Sequence, residues 1–121
     1  MIINFEEYTH KLTERECKAV PRVIKGLLNR KGKKLATKGA KIASILESEG
    51  YGKFTDVRVR KIINFLQVEG IIRNIVATSN GYYIATTQQD LDEYRLSVKQ
   101  RADAILAKLN GIDYKIQSGE S

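Results

Sequence analysis

The sequence predicts an α+β, mainly helical fold, and three observations carry that prediction. Over residues 54–69, apolar side chains recur at helical spacing behind a capping threonine. Directly afterwards, residues 71–78 and 82–86 are rich in β-branched and aromatic side chains and flank Asn80-Gly81, a strong two-residue hairpin signal. On either side of this helix-hairpin unit the apolar pattern is mostly helical. At 121 residues the chain fits one domain with appendages, large enough for a modest core without disulfides or metals.

Taken in order, residues 1–11 mix Ile2, Ile3, Phe5 and Tyr8 with Glu6 and Glu7 without a clear period, so they either pack as an arm or stay loose. Thr13 and Glu16 make a capping box that starts a short helix at Glu14. Proline favours the first helical turn and disfavours helix at the residue before it, so a break is expected at Val20-Pro21. A second helix then covers 21–30, with Val20, Val23, Ile24, Leu27 and Leu28 buried and Arg22, Lys25 and Arg30 wet. Residues 31–37, KGKKLAT, read as a basic loop in which 34–36 supplies a very short strand. Thr37 is expected to cap the next helix, which turns Ile42, Ile45 and Leu46 inward and stops at Gly50.

Thr55 caps a helix that starts at Asp56, an acid suited to the positive helix end, while Phe54 is placed to staple onto Val59. Val59, Ile62, Ile63 and Leu66 form its buried stripe, and Gly70 offers a left-handed stop near Glu69. At about 100° per residue, Val57, Arg60, Lys61 and Asn64 fall on the opposite face, with Arg58 on its flank. A type I′ turn at Asn80-Gly81 pairs Ser79 with Tyr82. That register sets Ala77 opposite Ile84 and Ile75 opposite Thr86 on one face, and Thr78 opposite Tyr83 and Val76 opposite Ala85 on the other. One face is expected to be core and the other half wet.

Thr87 caps a final helix from residue 88 to about 110, ended by Gly111. Leu91, Tyr94, Val98, Ala102, Ile105 and Leu109 share one stripe, spaced by threes and fours like a coiled-coil seam. At roughly 22 residues the helix is about 33 Å long, more than so small a core needs. The stripe therefore either joins two copies of the chain or folds back over the arm and first helices. This divides the chain into an arm with a short helix (1–20), a central domain (21–86), a long helix (87–111) and a tail (112–121), with disorder expected over 118–121.

The net charge is +7 and the sequence pI about 9.6. Residues 15–41 alone hold ten Lys or Arg against one acid, Glu16, an asymmetry that points to an anionic partner. A single cysteine excludes an intramolecular disulfide, and no apolar run is long enough for a secretory core or membrane span, so a cytoplasmic location is expected. Cys17 has apolar neighbours, Ala19 and Val20, and reads as a buried structural thiol. With His10 the only histidine, no metal site or Cys/His catalytic pair is indicated, and the glycines do not form a phosphate loop. The expectation is a protein without catalytic activity, cofactor or metal.

The order helix, short strand, helix, helix, two-stranded hairpin over residues 21–86 resembles the winged helix-turn-helix fold of DNA-binding proteins. More narrowly, VRVRKIINFLQVEGIIRNIVATSNGYYIAT followed by QQDLDEY is similar to small winged-helix-like proteins encoded by bacteriophages and prophages. The resemblance implies a phage or mobile-element origin and DNA binding, and brings no defined role or functional residues. The hairpin tip, Ser79-Asn80-Gly81, departs from the usual pattern because it carries no charge.

The helix geometry alone supplies the site expectations. If the helix over 56–69 enters the major groove of double-stranded DNA, Arg60 suits guanine, Asn64 adenine and Val57 a thymine methyl, while Arg58 and Lys61 reach bases or phosphates. Lys33, Lys34, Lys38 and Lys41 then hold phosphates and fix register, with Arg73 and Tyr82 as further phosphate candidates. Tyr82 and Tyr83 could stack on a base or donate a hydroxyl to phosphate, but tyrosines beside a hairpin turn more often fill core or cross-strand space. Dimerisation through Leu91, Tyr94, Val98, Ala102, Ile105 and Leu109 would set two such helices on half-sites about one helical turn apart. Repressor, excisionase-like and replication roles all fit. A different class, an interaction module that binds a phage or host protein instead of nucleic acid, is the alternative.

Overall fold

The computed structural model describes residues 11–112 and Ile116; the arm over 1–10 and the tail over 118–121 lie outside the described residues. Among the described residues the elements are α1 (Glu14–Leu28), a 3-10 turn (Lys33–Leu35), α2 (Gly39–Ser48), α3 (Asp56–Val68), β1 (Ile75–Thr78), β2 (Gly81–Ile84) and α4 (Gln88–Ile112). The fold is α+β and mainly helical, with one two-stranded antiparallel sheet.

The capping box forms as expected. The Glu16 N–H donates to Thr13 Oγ1 over 3.2 Å and the Thr13 N–H donates to Glu16 Oε1 over 2.8 Å. The expected break at Pro21 does not occur, and α1 runs straight through it. Pro21 is exposed, and the carbonyl left without a helical donor belongs to Cys17, also exposed, where solvent can satisfy it. An unbroken helix puts Glu16, Ala19, Val23 and Leu27 on one buried stripe. The phase of that stripe leaves Val20 and Ile24 half-buried, exposes Leu28, and turns the Cys17 thiol, expected to be buried, toward solvent.

The short strand expected at 34–36 is a 3-10 turn instead. Single bridges on either side of it, Lys31 to Ile84 and Thr37 to Tyr82, make the contacts with β2. The Tyr82 N–H donates to the Thr37 carbonyl at 2.9 Å and the Thr37 N–H to the Tyr82 carbonyl at 3.0 Å. Thr37 is thereby held by the sheet, and Lys38, without a side-chain hydrogen bond, takes the capping position of α2. In α3 the expectations match: Thr55 Oγ1 accepts from the Arg58 N–H at 3.2 Å, and Val59, Ile62, Ile63 and Leu66 are all buried.

The hairpin register is two residues from the expected one. Ile75 pairs with Ile84, Val76 with Tyr83, Ala77 with Tyr82 and Thr78 with Gly81, so Ser79-Asn80 makes the turn. Among the described residues no non-glycine residue has a positive φ, which excludes the type I′ turn at Asn80-Gly81. Gly81 is instead a strand residue with φ 119°, and a Cβ there would overlap the Thr37 carbonyl carbon and oxygen and stand 2.6 Å from the Lys38 nitrogen. The close approach of Thr37 and the positive φ of this strand residue, not a type I′ turn, demand glycine here. Because the slip is two residues, every side chain keeps its expected face.

One main core joins Ala19, Val23 and Leu27 of α1, Ala43 and Leu46 of α2, Phe54, the stripe of α3, Ile72, and Ile75 and Ile84 of the hairpin. Burying each of the large aliphatic side chains contributes roughly 1.5–3 kcal/mol. The second hairpin face is not half wet: Val76, Tyr83 and Ala85 are buried, with Leu91 and Tyr94 packed over them.

Candidate nucleic-acid interface

α4 starts at Thr87, whose Oγ1 accepts from the Asp90 N–H at 3.1 Å, and passes through Gly111 to Ile112 without stopping. Its first two turns dock Leu91 and Tyr94 on the hairpin, and Gln67 Nε2 of α3 donates to the Tyr94 hydroxyl at 3.0 Å. From Arg95 to Ile112 every residue is exposed, so the helix is not buried across the first helices. It stands off the body, and the space between is a groove of about 1460 Å³ with α3 on one side, α4 on the other and the hairpin between them.

This groove gathers some of the expected site residues and not others. Arg60 and Asn64 line it from α3, joined by Lys38 at the start of α2, and by Arg73, Tyr82, Gln67 and Val68. Arg60 also lies 3.5 Å from Asp56, one turn earlier. Asp56 packs against Gly39, where a Cβ would overlap its carboxylate oxygen, so the starts of α2 and α3 approach closely at the groove's edge. Val57 is exposed on α3 outside the groove lining, as are Lys34 and Lys41, while Lys33 reaches 3.9 Å from Asp90 of α4.

Arg58 and Lys61 turn the other way, toward α1. Lys61 Nζ is 2.9 Å from Glu16 Oε1 with its side chain only 16% exposed, and Arg58 Nη1 is 3.9 Å from Glu16 Oε2. Burial alone would raise the Glu16 pKa, but the Thr13 backbone hydrogen bond and the Lys61 ammonium outweigh it and hold the carboxyl below its ordinary value. Lys61 is therefore a structural cation beneath the surface that Arg60 and Asn64 present.

Of the six residues of the seam, Leu91, Tyr94, Val98, Ala102 and Ile105 line the groove, and Leu109 lies beyond it. Leu91 and Tyr94 are used inside the chain; Val98, Ile105 and Leu109 remain 42%, 41% and 50% exposed. Sequence reasoning missed Arg95, Lys99 and Arg101, which line the groove from α4. On a helical wheel Arg95 and Arg101 flank the apolar seam on either side, but Lys99 falls within about 20° of Asp92, so no segregation of charge along the helix singled the three out.

The groove thus carries six cations, Lys38, Arg60, Arg73, Arg95, Lys99 and Arg101, against one carboxylate, Asp56. Such a surface attracts a polyanion. Among the described residues no group of three or more His, Cys, Asp or Glu is placed to hold a metal ion, and no helix is long and apolar enough to cross a membrane. Neither a protein-family model, a curated protein nor a solved structure matches this chain.

Proposed function

We propose that this chain is a non-enzymatic duplex-DNA-binding protein that uses α2, α3 and the hairpin as a winged helix, with α3 in the major groove. The observation that carries this reading is the groove's charge, six cations to one carboxylate, beside the exposed face of α3. Arg60 and Asn64 are the base readers, with Val57 next to them; Lys38 and Arg73 hold phosphates, and Lys33, Lys34 and Lys41 add to the field around them. Lys61 is assigned to the fold through Glu16 and not to base reading. A phage or mobile-element origin and a regulatory or replication-related role belong to the same proposal; the sequence resemblance implies the origin and DNA binding and brings no defined role.

Fluorescence anisotropy of a labelled random-sequence duplex, titrated at two salt concentrations, tests the reading. Binding that weakens steeply with salt is the expected result. No binding at low salt would sink it.

One observation favours a second reading. The exposed seam of α4, Val98, Ala102, Ile105 and Leu109, is apolar enough to receive another helix, foremost the same helix of a second copy. Because most of this seam faces the groove, that partner would lie in front of Arg60 and Asn64. Under this reading the protein is an interaction module, and its mass in solution is a multiple of 13.7 kDa while duplex binding is absent.

A further inference from the structure

A helix lying in a major groove about 12 Å wide has a sugar-phosphate strand on either side of it. If α3 is that helix, the strand on its hairpin side enters the groove whose far wall is α4. There Arg95, Lys99 and Arg101 face across to Arg60 and Arg73. We infer that α4 is the second wall of the nucleic-acid site: Arg95, Lys99 and Arg101 neutralise phosphates of the strand running between α3 and α4, so that one backbone is clamped from two sides. This inference rests on the DNA-binding reading and deepens it by giving the three α4 cations, counted there only as part of the groove's charge, a ligand of their own.

Three features of α4 support it. The three cations span seven residues, about 9 Å of helix, which measured along the duplex axis corresponds to two to three base-pair steps of about 3.4 Å. Their present partners are weak: Arg95 is 3.9 Å from Asp92, and Lys99 is 2.8 Å from Asp103 with both side chains more than half exposed. Exposed pairs of this kind exchange readily for a phosphate. Finally, Leu91, Tyr94 and the Gln67 hydrogen bond anchor the first turns of α4 to the hairpin and α3, so the wall is positioned before any ligand arrives.

The test is the salt dependence of binding to a labelled random-sequence duplex for the full chain, the variant R95Q/K99Q/R101Q, and the control K11Q/K18Q/K25Q, which removes the same charge outside the groove. Solution mass and circular dichroism are measured on each. The expected result is that the slope of log K against log salt falls by about 2 to 3 in the α4 variant and by less than about 1 in the control, at unchanged mass and helicity. Equal slopes for wild type and the α4 variant would overturn the inference and leave the DNA-binding reading intact. So would weakened binding accompanied by a change in mass, which would assign the groove to a second copy of the chain. Absence of salt-dependent binding by the wild type would overturn both.

Discussion

Lys61 Nζ stands 2.9 Å from Oε1 of Glu16, the same oxygen that accepts the Thr13 N–H and closes the capping box of α1. One carboxylate, 2% exposed, therefore both starts α1 and fastens it to the middle of α3. The orientation of the face bearing Arg60 and Asn64 depends on this joint, because Arg58 and Lys61 on the adjoining face are drawn toward α1.

Glu16 also makes the fold acid-sensitive. Its pKa is lowered from about 4.5 in the folded chain, so its stabilisation is present in full above that value and is lost as pH falls through the folded pKa. Glu16→Gln is expected to destabilise by roughly 2 kcal/mol at pH 7, since a buried hydrogen-bonded charge pair loses one member. Urea unfolding of both proteins at pH 7 and pH 3 checks this: the gap should narrow at the lower pH, and an unchanged gap would refute the assignment.

Gly81→Ala should cost about 2–5 kcal/mol, combining positive-φ strain with overlap against the Thr37 carbonyl. The unfolding midpoint reads the effect. Asn80→Ala, at a turn position without positive φ, is expected to stay within about 0.5 kcal/mol. Were Asn80 the costlier of the two, the type I′ hairpin would be the better description.

Pro21→Ala should stabilise the protein by about 2 kcal/mol. Alanine restores an N–H in the interior of α1, a gain near 3 kcal/mol, less the entropy released to a more flexible unfolded chain. A thermal midpoint lower than wild type would mean that α1 is broken at Pro21 after all.

For the DNA-binding reading, Arg60→Ala with Asn64→Ala should remove sequence preference while leaving salt-dependent binding to random duplex in place. Replacing Lys33, Lys34 and Lys38 by alanine should weaken binding to all sequences and reduce the salt slope by about 1 per lost phosphate contact. Site selection from a random library, followed by salt titration, separates the two classes. Identical selected sites for wild type and the Arg60/Asn64 variant would remove α3 from base reading.

What was legible in the sequence was local. The capping box at Thr13 and the caps at Thr55 and Thr87 depend on residues three positions apart, and the α3 stripe on a single period, so both could be read from the chain and both are present. The two hairpin faces survived an error in register because alternation in a strand has a period of two.

Where a distant segment set the outcome, the chain alone misled. By local pattern Gly81 is a turn residue; Thr37, forty-four positions earlier in the chain, packs against it in the sheet. By local pattern Lys61 is a surface cation and Cys17 a buried thiol; Glu16 of α1 draws Lys61 into an ion pair, and the phase of an unbroken α1 exposes Cys17.

By itself, then, the sequence determined α3 with its cap, the starts of α1 and α4, the existence of the hairpin and the basic character of the chain, because these follow from local propensity, period and composition; the break at Pro21, the strand at 34–36, the Thr37 cap and the stop at Gly111 did not hold. Only the tertiary structure decided which cations point into solvent and which into ion pairs, and that α3, the hairpin and α4 enclose one basic groove. The physical reason is that charge and burial at a side chain are set by what packs against it, and the partners of Lys61 and Gly81, Glu16 and Thr37, lie on elements whose relative placement no local pattern encodes.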